Sequence, residues 1–213
     1  LAGVVVVAWA GWDHPALVLT AAAVVFLVTQ NSLNQFGWDG PAYWANAVSG
    51  ADPRGDLAGR NLAAMLVGLA TAAALAVALA AVTGGWLYVP VALCLAAGAL
   101  AVALGVADVV SVRFPYPVPE VTSNLWAAQG TGQGCLVGLA QMLALTVEGV
   151  LLLPVAILVA VGVAAWRPAL AIACPVALLS GLAVWRVGLG IGARWLRDHQ
   201  PELLTALSPR RAA

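Results

Sequence analysis

Residues 62–110 read LAAMLVGLATAAALAVALAAVT (62–83), then Gly84-Gly85, then WLYVPVALCLAAGALAVALGVADVV (86–110), with Asp108 as the one charged residue in the stretch. About 20 mostly apolar residues suffice for a helix to cross the hydrocarbon of a bilayer. The stretch therefore reads as two spans, Leu62–Thr83 and Trp86–Val110, joined by a glycine turn. Working outward, Ala16–Phe36 and Pro168–Gly192 meet the same criterion. Residues 134–166 are apolar for too long for one untilted span and too short for two. Pro154 inside them allows either a kinked, tilted helix or a span followed by a re-entrant piece. Leu1–Trp12 reads as the end of an earlier helix, joined to the next by Asp13-His14-Pro15. It lacks the basic leader of a signal peptide. The expected fold is an all-α polytopic membrane bundle of about six transmembrane helices, the first truncated, with residues 1–213 as one domain.

Composition points the same way. The 213 residues are 63% hydrophobic and 8% charged, against roughly 45–50% and about 25% for an average soluble chain, and the mean hydropathy is +0.98. A formal net charge of +0 leaves no basic field to hold nucleic acid. All nine basic residues are arginine, which excludes both a P-loop lysine and a Schiff-base lysine. Cys94, Cys135 and Cys174 show no metal-ligand spacing, and His14 and His199 fall on opposite sides, so no metal site, disulfide framework or hydrolytic triad is expected.

Arginine placement suggests the orientation, since short basic loops stay in the cytoplasm. With six helices, Arg54, Arg60, Arg113, Arg194, Arg197, Arg210 and Arg211 share one side, which makes 37–61, 111–133 and the tail 193–213 cytoplasmic. Arg186 lies near enough to that side to snorkel, and Arg167 falls opposite. The alanine and glycine content of 63–82 and 92–107 predicts close helix packing. Gly188-Leu189-Gly190-Ile191-Gly192 follows an apolar helix rather than a strand, so it reads as a packing surface and not a phosphate loop. Trp86, Tyr88, Trp166 and Trp195 mark helix ends at the headgroup layer.

Two polar loops interrupt the apolar pattern. In the first, Asp52 is placed to cap a helix beginning at Pro53, with Asp56 at the positive end of its dipole. A short surface helix running into the next span is the consequence. The second, Val112-Arg113-Phe114-Pro115-Tyr116-Pro117-Val118-Pro119-Glu120, has proline at every second position and must be extended.

The run Pro53-Arg54-Gly55-Asp56-Leu57-Ala58-Gly59-Arg60-Asn61-Leu62-Ala63, preceded by Asn34-x-Phe36-Gly37-x-Asp39-Gly40, resembles the first cytoplasmic loop of the membrane subunits of type-2 ABC exporters. Arg60 stands where lysine is usual in that family. The resemblance implies that Asp52, Pro53, Arg54, Asp56, Leu57, Gly59 and Arg60 form a coupling helix docking on a separate ATPase subunit. ATP and magnesium would then sit on that subunit, with no cofactor in this chain and no catalysis by it. It further implies a second permease half or a homodimer partner, a bacterial inner-membrane location with a cytoplasmic C-terminus, and a chain corresponding to the C-terminal half of a longer permease.

Glu148 is the one acid well inside an apolar run. An intramembrane carboxylate is costly enough to be a functional candidate by default. Gln141 lies on nearly the same face, and Arg186 is a possible ion-pair partner. Gln30, Asn31, Asn34 and Gln35 collar the end of the Ala16–Phe36 run. Gln30, Asn31, Asn34, Gln141 and Glu148 are therefore candidate pathway residues, and Asp108 an interface residue. Two rival functions stay open: a proton-coupled secondary transporter using Glu148, and a non-transporting membrane scaffold.

Overall fold

A computed structural model describes residues 14–116 and 133–207, apart from the side chains of 24, 26–29, 41 and 133–137. Within those residues the protein is all-α, with eight α-helices: α1 (Thr20–Val28), α2 (Gln35–Asp39), α3 (Trp44–Val48), α4 (Pro53–Thr83), α5 (Val89–Arg113), α6 (Gln133–Ala164), α7 (Pro168–Asp198) and α8 (Gln200–Leu207). Four helical segments are long and apolar enough to cross a membrane: Pro53–Thr83, Trp86–Arg113, Gly138–Ala164 and Pro168–Asp198. The chain is a multi-pass membrane protein with four such helices among its described residues.

Among the described residues the expected count of about six is thus not reached. Leu1–Trp12 lies outside the described residues. The window Ala16–Phe36 is not one helix but a composite: a 3-10 turn Pro15–Leu19, α1, a second 3-10 turn Thr29–Asn34, and α2. The sequence TQNSLN explains the break, because short polar side chains compete for the backbone and favour turns over helix interiors. The composite nevertheless runs the length of α4. Ala16 packs with Ala76 and Ala80, Val25 with Ala72 and Leu100, and Gln35 meets Asn61.

Residues 134–166 also take a definite form. The helix α6 runs unbroken from Gln133 to Ala164 with Pro154 inside it, so there is no re-entrant piece. Proline costs one backbone bond here, and the helix continues through it on its exposed side.

The helix α4 begins on Asp52, whose carboxylate accepts the Gly55 N–H at 3.1 Å. It ends at Gly84, which adopts the left-handed conformation (φ 70°). At 31 residues and 1.5 Å per residue it is about 46 Å long, longer than the ~30 Å hydrocarbon. Its charged residues, Arg54, Asp56 and Arg60, all fall in its first two turns. Hydroxyls on the long helices bond back to the carbonyl one turn earlier, Thr71 to Val67, Thr146 to Met142 and Ser180 to Val176, and so need no water.

The segment containing α5 is the centre of the bundle, with 61% of its apolar window buried against 22–28% for the other three. Its main partner is α7, and the contact is built on glycine. A Cβ at Gly105 would lie 2.6 Å from the Val184 carbonyl oxygen, one at Gly181 would lie 2.6 Å from that of Gly98, and one at Gly188 would run into the Gly105 carbonyl. The pairs advance together along both chains, so α5 and α7 are parallel. Gly98 and Gly105, like Gly181 and Gly188, are seven residues apart, which keeps the contact on one face for two turns. Close packing by Gly188 and Gly192, expected from the sequence, is what the structure has. The remaining helix faces carry exposed apolar rows, such as Leu62, Leu66 and Val77 on α4 and Leu139, Leu143, Val150 and Ile157 on α6. Those faces suit lipid.

The described part of the segment 193–213 is helical. Residues up to Asp198 belong to α7, and α8 folds back so that Leu203 and Leu207 pack with Tyr43 and Leu57. Residues 117–132 and 208–213, which hold most of the proline-rich loop and the last two arginines, lie outside the described residues.

Candidate functional site

Arg54, Arg60, Arg113, Arg194 and Arg197 gather at one end of the bundle, together with α2, α3 and α8. The candidate coupling residues divide here into two sets. Leu57 is fully buried against Phe36, Val112 and Leu196. Arg60 turns inward as well: its guanidinium bonds Asp39 and, at 3.0 Å, Asp56, and lies 4.8 Å over the Phe36 ring. A planar, always-charged group can serve two carboxylates and an aromatic face at once. Phe36 in turn meets Tyr43 edge-on at 5.1 Å. Burial, and secondarily the Asp56 charge, push the Tyr43 hydroxyl above its usual value, while a bond with Gln200 opposes them.

Asp52, Arg54 and Gly59 face outward. Asp52 also lies 3.5 Å from Arg197, both side chains being 63% exposed, a pair of little energetic weight. On the adjoining short helices Trp38, Trp44 and Val48 are 63%, 60% and 77% exposed. Large apolar side chains exposed on the charged end mark a contact surface for headgroups or protein.

Asn61, at the base of the same block, was legible only as a loop residue. It instead bridges Gln35, whose amide donates at 3.3 Å, and Asp108, to which it donates at 2.8 Å. Asp108 and Asn61 are both buried, so Asp108 is an internal strut rather than an interface residue. Nothing in the spacing of 21 residues between Asp39 and Arg60, or 47 between Asn61 and Asp108, signals these pairs.

The pathway candidates form a second group. Gln30, Asn31, Asn34 and Gln141 line a cavity of about 240 Å³ together with Leu33, Trp38, Tyr116 and Leu145. Asn34 is buried and exchanges two bonds with the Tyr116 backbone, donating to its carbonyl at 2.9 Å and accepting its N–H at 3.3 Å. Gly37 leaves room for this, since a Cβ there would collide with both Asn34 and Tyr116. Gln141 donates to the Tyr116 hydroxyl at 2.9 Å. Glu148, fully buried, accepts from Gln30 at 3.1 Å, and its second oxygen has no bond partner among the described residues. Arg186 is exposed and forms no ion pair with it. All five predicted pathway residues are thus drawn to one cleft, four as lining and Glu148 behind Gln30. Tyr116, which organises the cleft, was not singled out, because its only sequence signal was a place between prolines. Among the described residues no group of three or more metal-ligating side chains occurs.

No family model, no curated protein and no solved structure matches the chain.

Proposed function

We propose that this chain is the membrane-embedded permease subunit of an ATP-driven ABC exporter, coupled to a separate ATPase subunit and working with a second permease half or a second copy. The observation that carries this reading is the construction of the block from Gln35 to Arg60. It is capped by Asp52, clasped by Arg60 to Asp39 and Asp56, and continuous with the unbroken α4. From Pro53 onward force on the block is carried along one helix into the bundle, and Asn61–Asp108 ties it to the central helix. The outward Arg54 and the exposed Trp44 and Val48 supply the surface for a soluble partner. Gathering of the basic residues at that end supports a cytoplasmic orientation, and the exporter reading implies a bacterial inner-membrane setting. ATP binding would draw two partner ATPases together and bias the bundle between two arrangements.

The test is co-purification and ATP-dependent transport in proteoliposomes. Arg54→Glu combined with Trp44→Ala changes only exposed side chains, and should reduce ATPase association at least tenfold while the permease stays monodisperse. Undiminished association would refute the coupling surface.

A proton-coupled secondary transporter is supported by one observation, the buried Glu148 with its unpartnered oxygen beside a polar cleft. Transport that persists without an ATPase and is abolished by Glu148→Gln would favour it.

A further inference from the structure

The helix α6 separates two clefts. Gln141 and Leu145 face the polar one, while the opposite face borders a groove of about 720 Å³ between α5, α6 and α7. Every residue lining this groove is glycine, alanine, valine, leucine, isoleucine or phenylalanine, and Gly105 and Gly188 both border it. Along α6 it reaches from Leu139 to Leu151, about 18 Å at 1.5 Å per residue. That is slightly more than one leaflet of a ~30 Å hydrocarbon layer, and too short to seat a spanning helix of about 20 residues.

The groove opens toward the charged end, where Phe114 and Ile191 line it. Arg113 continues the Val109–Val110 face of α5, and Arg194 continues the Val187–Ile191 face of α7. Both arginines are exposed. Unlike Arg60 and Arg197 at the same end, neither forms an ion pair among the described residues. An apolar slot one leaflet deep thus ends at two guanidinium groups that have no ion-pair partner among the described residues.

We propose that the groove holds an acyl chain of an anionic phospholipid whose phosphate is bound by Arg113 and Arg194. The guanidinium fork matches phosphate geometry, and the site requires only that the charged end reach the headgroups, independently of any ATPase coupling.

Native mass spectrometry of the full chain, with equal amounts of phosphatidylglycerol and phosphatidylcholine in detergent, tests it. One phosphatidylglycerol should be retained in preference to phosphatidylcholine. Arg113→Gln and Arg194→Gln should each lower the preference about fivefold, the increment expected for one surface arginine, whereas Arg186→Gln should leave it unchanged. Ala183→Phe, which fills the groove, should reduce retention of both lipids. No preference in the unaltered chain, an unchanged preference in the double arginine variant, or full retention with Phe at position 183 would each overturn the proposal. So would a dimer that Ala183→Phe abolishes, since a second copy would then occupy the groove.

Discussion

The α5–α7 seam and the charged end are held together by opposite means. Along the seam no side chain does the work: glycines at 98, 105, 181 and 188 let two backbones meet. At the charged end an apolar cluster around Phe36, Leu57 and Leu196 is overlaid by directional side-chain bonds, Arg60 to Asp39 and Asp56, Gln35 to Asn61, Asn61 to Asp108. In lipid there is no hydrophobic force between apolar helices, so close approach and dispersion must supply the adhesion. Near the headgroups polar atoms can be carried to their partners at lower cost, and directional bonds set the geometry. The seam thus depends on backbone approach, whereas the charged end depends on chosen side-chain partners as well as on apolar packing.

The largest effect should come from the seam. Gly188→Leu forces α5 and α7 apart and is expected to cost about 3 kcal/mol, read as a fall in thermal stability in detergent micelles. Gly190→Leu, two residues away with only Arg194 near its Cβ position at 3.9 Å, should stay within about 0.5 kcal/mol. Equal losses would break the contrast.

At the charged end, Asn61→Leu removes the bridge and leaves Asp108 buried without its donor, a loss of about 2 kcal/mol. Arg60→Ala should cost about 1.5 kcal/mol, less than a fully buried pair because the site is partly screened. Arg60→Lys should recover only part of it, since one ammonium cannot serve both acids with a fork. If lysine restores full stability, the clasp is merely charge neutralisation. Asp52→Ala removes the helix cap for about 1 kcal/mol. Arg54→Ala, at an exposed neighbouring position, should change stability by less than about 0.5 kcal/mol.

The smallest expected effect is alkaline. Because the Tyr43 hydroxyl is held above its ordinary value by burial, its protonated form is favoured in the folded state. Its contribution is complete below about pH 10 and is lost as the pH rises through the raised folded value. Tyr43→Phe should flatten that part of the stability profile, measured by circular dichroism between neutral and strongly alkaline pH.

Elements governed by neighbours in sequence were readable from the chain. Three long apolar runs at 62–83, 86–110 and 168–192, the Asp52 cap with Pro53 behind it, the Gly84 turn and the clustering of arginines at one end all follow from composition or from contacts within one or two helical turns. The amides and the acid of the cleft could be singled out as costly in apolar runs, but not their convergence. Membership of the clasp and the struts was not readable. Asp39 lies 21 residues from Arg60, and Gln30 lies 118 from Glu148, and no local rule selects one partner among several amides and acids at such separations.

By itself, then, the amino-acid order marked 62–83, 86–110 and 168–192 as long apolar helices and placed the Asp52 start and the Gly84 stop of α4, since helix initiation and solvent preference are properties of short windows. Only the tertiary structure decided that residues 15–39 descend as broken turns along α4, that α6 divides a polar cleft from an apolar groove, and that α5 lies in the middle. Those outcomes depend on which faces meet, and the faces of helices this uniformly apolar differ too little in hydrophobicity for a one-dimensional pattern to tell them apart.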